Sequence, residues 1–128
     1  MIENLKALGT ARAKFDGLET FAAPSGLQSI TLSSDECCAI CPVTGQPDWY
    51  TIIVEYQPAL VCIESKTFKL YIQSFSHDGM FCEQFAHTIA QDCANVLKVE
   101  ATAIVNQKPR GGVKIAAKAT CKPIMGGV

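Results

Sequence analysis

Residues 41–56 read CPVTGQPDWYTIIVEY, and this stretch decides how the rest of the chain is organised. Its second half, from Trp49 to Tyr56, is almost entirely aromatic and β-branched, which predicts a β-strand. Apolar side chains fall on both faces of that strand, so we expect it to be covered on both sides or to line a subunit interface. Its first half is a loop stiffened by prolines, which presents Cys41 and Asp48 in a defined geometry.

The sequence before this stretch predicts one more strand. Residues 27–32 are typical of a strand, and residues 33–36 predict a turn that leads into the loop. Earlier still, Ile2, Leu5 and Leu8 are spaced for one face of a short helix. We expect residues 1–17 to be an extension that precedes the folded domain.

After the central strand the pattern changes to a helical period. Apolar residues from Phe68 to Phe75 follow one helical stripe, and a second series from Phe81 to Leu97 repeats every four residues. Residues 99–105 and 113–120 then predict two strands joined by a turn.

The element order is therefore strand, strand, helix, helix, strand, strand. It predicts an α+β domain with an antiparallel sheet and two helices on one face, spanning residues 1–128 with a loose tail at 121–128. Because such a sheet has open edges, closing a ring with neighbouring subunits would protect them.

Composition narrows the class of protein. The chain has 128 residues and a net charge of -1, which is enough for one core and gives no global attraction for nucleic acid. No apolar run is long enough to cross a membrane, and the N-terminus is not typical of a signal peptide. The cysteine count is odd, which predicts reduced thiols in a cytoplasmic protein. The seven cysteines are Cys37, Cys38, Cys41, Cys62, Cys82, Cys93 and Cys121.

Three motifs carry a resemblance to a known family. They are CPVTGQPD at 41–48, ESKTFKLY at 64–71 and PRGG at 109–112. Together they resemble the 7-cyano-7-deazaguanine nitrile reductases of queuosine biosynthesis, in their single-module form. The resemblance implies the tunnelling fold, in which ββααββ modules form an oligomeric barrel, here a homo-oligomer of stacked pentameric rings with active sites between subunits. It also implies NADPH as cofactor and no bound metal.

The resemblance also implies a role for each candidate residue. Cys41 would attack the nitrile carbon to form a covalent thioimide, and Asp48 would donate a proton. Substrate contacts are expected from Glu64, Ser65, Phe81, Cys82 and Glu83. Contacts with the phosphates of NADPH are expected from Lys66, Lys69 and Arg110.

These residue types suit the chemistry. A nitrile is a poor hydride acceptor, and adding a thiolate divides the reduction into easier steps. Each reduction also needs a proton, which a nearby acid can provide. A carboxylate such as that of Glu83 can accept from adjacent N–H donors on a purine-like edge. Lysine and arginine carry cations on long arms that suit phosphates.

One position departs from the family pattern and keeps a second function open. Cys82 stands where the family commonly has His, and a thiol is normally a poor acid near neutral pH. Related proteins add ammonia to the same thioimide on modified nucleic acid and form an amidine without a nicotinamide. Lys66, Lys69 and Arg110 favour reduction, and the mildly acidic pI of 6.1 disfavours a large nucleic-acid substrate.

Simpler interpretations stand beside the functional ones. Cys41 could be one more structural thiol, and Asp48 could simply brace the turn. Cys38 and Cys41 also form a Cys-x-x-Cys motif, which could supply two ligands of a zinc site, with Cys37, Cys82 or His77 as further ligands. The protein would then be a metal-bearing binder of a purine-like ligand. The motif around Cys41 and Asp48 favours catalysis over these alternatives.

Overall fold

The computed structural model describes residues 16–124, with the side chain of His77 excepted. The predicted helix at the N-terminus and the last residues of the tail lie outside this range. Among the described residues, none of the helices has the length and apolar character needed to cross a membrane.

Six strands and two helices make up the described part of the chain. The strands are β1 (Thr20–Ala22), β2 (Ile30–Ile40), β3 (Pro47–Tyr56), β4 (Val61–Ile63), β5 (Ala101–Arg110) and β6 (Val113–Cys121). The helices are α1 (Ser65–Gln73) and α2 (Cys82–Leu97), and a short 3-10 helix (Ser74–His77) lies between them.

The main sheet is antiparallel, with the order β2-β3-β5-β6, and α1 and α2 pack on one of its faces. This is the ββααββ arrangement that the sequence predicts, so the α+β tunnelling-fold class is confirmed. The strands β2 and β6 form the two edges of the sheet in the single chain.

The hydrophobic core lies between the sheet and the helices. On β3, Tyr50, Ile52 and Val54 are fully buried against this layer. The other face of the strand is only partly covered, and Trp49 is 49% exposed. Within the single chain β3 is therefore covered on one face, and the half-exposed face is the one that an interface between subunits could cover.

Several predicted boundaries were wrong. Residues 33–36 do not form a turn, because β2 continues through them with a bulge between Ser34 and Cys37. A bulge accommodates the extra residue without ending the strand pairing. The final turn contains only Gly111 and Gly112, both at positive φ, so β5 is longer than predicted. The first strand begins at Ile30, later than expected.

A second, two-stranded sheet was not predicted. Its strands, β1 and β4, pair antiparallel with Thr20 opposite Ile63. The pair is tied to the main sheet because the backbone N–H of Ile63 donates to the hydroxyl of Tyr56 at 3.0 Å. This contact places the start of α1 beside the end of β3.

Candidate active site

Cys41 lies in a closed loop directly after β2. Its backbone N–H donates to the Gln46 carbonyl at 2.8 Å, and its own carbonyl accepts from the Gly45 N–H at 2.9 Å. Gly45 has a φ of 72°, a conformation that side-chain-bearing residues rarely adopt. The loop between β2 and β3 is therefore held by its own hydrogen bonds, which fixes the position of the thiol.

The same loop makes Cys41 more acidic than an ordinary cysteine. A hydrogen bond from the Thr44 hydroxyl lowers the pKa of the Cys41 thiol, helped by the amides of Thr44 and Val43. Partial burial and the charge of Asp48 act in the opposite direction but are weaker. Because the thiolate is the nucleophilic form, this loop prepares Cys41 for attack on an electrophilic carbon.

Asp48 is the second residue of β3 and is buried with an ionic partner. It forms an ion pair with Arg110, which reaches it from the far end of β5. The same guanidinium donates to the side-chain oxygen of Gln46 at 2.7 Å. Arg110 therefore joins the carboxylate to the loop that carries Cys41. Its predicted contact with NADPH phosphates stays a prediction.

The start of α2 lies next to this loop. Ile40, the residue before Cys41, exchanges backbone hydrogen bonds with Asp78 and Met80, at 2.8 and 3.1 Å. This pairing brings the residues that open α2 toward the thiol. Phe81 is 54% exposed, and Glu83 is exposed in the first turn of the helix. An aromatic ring and a carboxylate therefore stand on the accessible surface at the end of the sheet that carries Cys41.

Cys82 is placed differently from its neighbours. Its side chain is buried, and its sulfur donates to the Val105 carbonyl at 3.5 Å. Burial raises the pKa of this thiol, so it is a neutral side chain near pH 7. The role of Cys82 in substrate binding stays a prediction, and the sulfur faces β5 in this structure.

Glu64 and Ser65 lie at the other end of the sheet. Glu64 is the N-cap of α1, and its carboxylate accepts from the N–H groups of Lys66 and Thr67 at 2.8 and 2.9 Å. Together with Tyr56 and Ile63, Glu64 and Ser65 line a mainly apolar cavity of about 480 Å³. The strand β3 separates this cavity from Asp48 by about 26 Å, at about 3.3 Å per residue.

The lysines predicted to bind the cofactor lie along α1. Lys66 is in its first turn and half-buried, whereas Lys69 is exposed one turn further on. Within one chain the structure therefore gathers Cys41, Asp48, Arg110 and the start of α2, and it leaves the Glu64 group at a distance.

Two residues at the site were missed in the sequence. Thr44 is within the loop motif, and its position three residues after Cys41 is the kind of turn spacing that could have identified it. Tyr50 was counted only as a strand residue, although its alternation with Asp48 on β3 places both side chains on the same face.

Within the part of the chain that the structure describes, there is no cluster of three or more residues that could hold a metal ion. A zinc site would need further ligands besides Cys38 and Cys41. The side chain of His77, one of the predicted ligands, lies outside the described residues.

The fold and the site together define a class of protein: an α+β tunnelling-fold protein with an activated thiol beside a buried carboxylate. A family model described as QueF-like protein matches residues 47–123. A relative from Frankia casuarinae is 41% identical over 91% of this chain and 94% of its own length. One from Rhodopirellula baltica is 37% identical over 77% of this chain and 84% of its own. Both are named NADPH-dependent 7-cyano-7-deazaguanine reductase.

A solved structure, that of the archaeosine synthase QueF-Like in the apo form, is similar in fold. Its TM-score is 0.69 over 80% of this chain and 99% of that chain, at 18% sequence identity. The chain belongs to the QueF-like protein family. The family match begins at Pro47, so the assignment of Cys41 depends on the geometry of its own loop.

Proposed function

We propose that this chain reduces the nitrile of 7-cyano-7-deazaguanine to an aminomethyl group, with NADPH as hydride donor. The observation that carries the proposal is the acidified Cys41 thiol beside the Asp48–Arg110 ion pair. The names of relatives at 37–41% identity support the substrate and the cofactor. The product would serve the biosynthesis of queuosine, a modified nucleoside of tRNA.

Cys41 begins the reaction as a nucleophile. As the Cys41 sulfur adds to the nitrile carbon, one bond of the triple bond breaks. The proton of the thiol passes by way of the Asp48 carboxylate to the nitrogen, which leaves a neutral thioimide. Arg110 holds the Asp48 carboxylate in place while the proton moves. When bound, NADPH supplies hydride to the carbon, and two molecules provide the four electrons that a nitrile needs to become an amine.

Residues at the start of α2 would bind the deazaguanine base. The exposed carboxylate of Glu83 can accept from two adjacent N–H groups of the deazaguanine edge, and Phe81 offers an aromatic face to the ring. Lys66 and Lys69 suit the phosphates of NADPH because both project cations from α1.

The complete site forms between subunits of a homo-oligomer. About 26 Å of β3 separates Asp48 from the Glu64 and Ser65 group, so the two groups of one chain cannot meet. The Glu64 group of a second copy would therefore complete the site around Cys41. The open edges of β2 and β6 and the half-exposed Trp49 support pairing between copies. Stacked pentameric rings would close the sheets into a barrel.

The test is to mix the protein with 7-cyano-7-deazaguanine and NADPH while recording absorbance and intact mass. We expect two NADPH consumed per nitrile and an adduct on the wild-type protein, both abolished in Cys41→Ala. Cys38→Ala is the matched control, because this neighbouring thiol is also partly exposed but precedes the loop. An adduct without NADPH consumption would move the protein to the amidine-forming class, and unchanged turnover in Cys41→Ala would reject the proposal.

A further inference from the structure

Tyr50 stands in the core directly behind the candidate site. It lies two residues after Asp48 on the helix-covered face of β3 and is fully buried. Its backbone pairs with Cys37 of β2, and its ring packs edge-on against Phe85 of α2 with centroids 5.1 Å apart. The ring is therefore fixed between the sheet and the helix.

The hydroxyl of this ring has no partner. Among the described residues, Tyr50 Oη is the one buried side-chain nitrogen or oxygen that makes no hydrogen bond. The other two tyrosines both use their hydroxyls. That of Tyr56 accepts from the Ile63 N–H, and that of Tyr71 donates to Asp92. Burying an unpaired hydroxyl is destabilising, so an orphan group next to a reactive centre calls for a functional explanation.

Four titratable groups interact electrostatically with Tyr50. They are Asp48 of β3, Cys82 of α2, Cys37 of β2 and Cys41 of the loop. Burial, followed by the charge of Asp48, raises the pKa of Tyr50. The phenol is therefore a hydrogen-bond donor throughout the neutral range.

Two of these four neighbours, Cys37 and Cys82, have polar contacts elsewhere. The sulfur of Cys37 lies 4.0 Å from the Ile72 carbonyl, and that of Cys82 donates to Val105. Burial raises the pKa of both thiols, that of Cys37 to about 12, so neither is an anion near pH 7. The groups near the phenol that can carry negative charge are therefore the Asp48 carboxylate and, once its thiol ionises, Cys41.

We propose that Tyr50 is a positioning residue of the nitrile reduction, whose hydroxyl donates a hydrogen bond to the Asp48 carboxylate when the Cys41 thiol ionises. The inference rests on the proposed function and adds a residue to it. Arg110 holds the carboxylate from the exposed side, and Tyr50 holds it from the core side. Together they partly neutralise the charge of Asp48, which otherwise opposes ionisation of Cys41.

The test compares Tyr50→Phe with Tyr71→Phe, which removes a buried tyrosine hydroxyl that donates to Asp92 of α2. Alkylation of Cys41 by iodoacetamide is followed against pH, with the Cys41 peptide identified by mass. Without the donor, the Asp48 charge is less neutralised, so we expect the apparent pKa of Cys41 to rise by about half a unit or more in Tyr50→Phe alone. We also expect kcat to fall about tenfold with little change in KM.

Stability provides a readout that separates positioning from packing. Because the Tyr50 hydroxyl has no partner, Tyr50→Phe should unfold at the same temperature as the wild type or higher, whereas Tyr71→Phe should unfold lower. A Cys41 titration and kcat that both match the wild type would overturn the inference, as would a loss of stability without any shift in titration. The alkylation profile needs no nitrile, so it tests Tyr50 even if the wild type forms no adduct and the proposed function fails.

Discussion

At the scale of single residues, the loop after β2 distinguishes one cysteine from the others. Burial raises the pKa of Cys37 and of Cys93 to about 12, so these thiols are inert parts of the core. Cys41 lies in a different setting, where the hydroxyl and amides of the loop lower its pKa. A short hydrogen-bonded turn therefore distinguishes the Cys41 thiol from the buried thiols of a cysteine-rich chain.

Thr44 provides the first prediction at this scale. Thr44→Val removes the hydroxyl that contributes most to lowering the pKa of Cys41, so the thiol should titrate at higher pH. We expect alkylation of Cys41 at pH 7 to slow by about tenfold, because less thiolate is present. At pH values well above both pKa values the two proteins should react equally fast.

Thr44→Ser is the control for that measurement, since serine keeps the hydroxyl and loses only the methyl group. Its alkylation profile should follow the wild type. Equal profiles for the valine and serine variants would show that the hydroxyl does not acidify Cys41.

At the scale of elements, each helix has an acidic residue at its N-terminal end, and the two carboxylates have different surroundings. Glu64 is buried, and its carboxylate satisfies two backbone N–H groups at the start of α1. Glu83 is exposed in the first turn of α2, so its carboxylate is available to a ligand. Within the single chain Glu64 thus stabilises the start of α1, and it also lines the cavity that the proposed second copy would meet. The carboxylate of Glu83 is open to a ligand without any such structural task.

Replacing each glutamate by alanine should separate these tasks. Glu64→Ala leaves two helix N–H groups without an acceptor and should lower the free energy of unfolding by about 1–2 kcal/mol, measured in urea. Glu83→Ala should change it by less than about 0.5 kcal/mol but weaken formation of the nitrile adduct. Equal losses of stability in the two variants would contradict this division.

At the scale of the whole molecule, the predicted site residues of one chain form two groups at opposite ends of its sheet. Cys41 and Asp48 lie at one end of β3, and Glu64 and Ser65 lie beside Tyr56 at the other. The strand is rigid and its ends cannot meet within the chain. In the homo-oligomer that we propose, the end of one copy would lie against the opposite end of the next copy.

Subunit mixing tests this arrangement. Cys41→Ala and Glu64→Gln should each be inactive alone, since each removes one half of every site. After the two variants are unfolded and refolded together, random assembly should restore roughly a quarter of wild-type turnover, because some interfaces combine two intact halves. If mixed oligomers have demonstrably formed and no turnover returns, Cys41 and Glu64 must act within the same chain, which would contradict a site shared between subunits.

The sequence by itself determined the central strand, both helices and the final hairpin. These elements are encoded by local signals, namely periodicity in Phe68–Phe75 and Phe81–Leu97 and the glycine pair at 111–112. It also singled out Cys41 and Asp48, because both lie within one loop motif. The same reasoning missed β1 and β4, since strands of three residues are stabilised by pairing with a distant segment and not by their own composition.

Only the tertiary structure decided how the site is assembled. Arg110 meets Asp48 across 62 residues of sequence, and the start of α2 reaches Cys41 because residues 78–80 pair with Ile40. It also decided that Tyr50 keeps an unpaired hydroxyl behind the site and that Glu64 lies a strand's length away. Such contacts follow from how the sheet and helices pack, and packing depends on residues far apart in the chain, which local propensity does not encode.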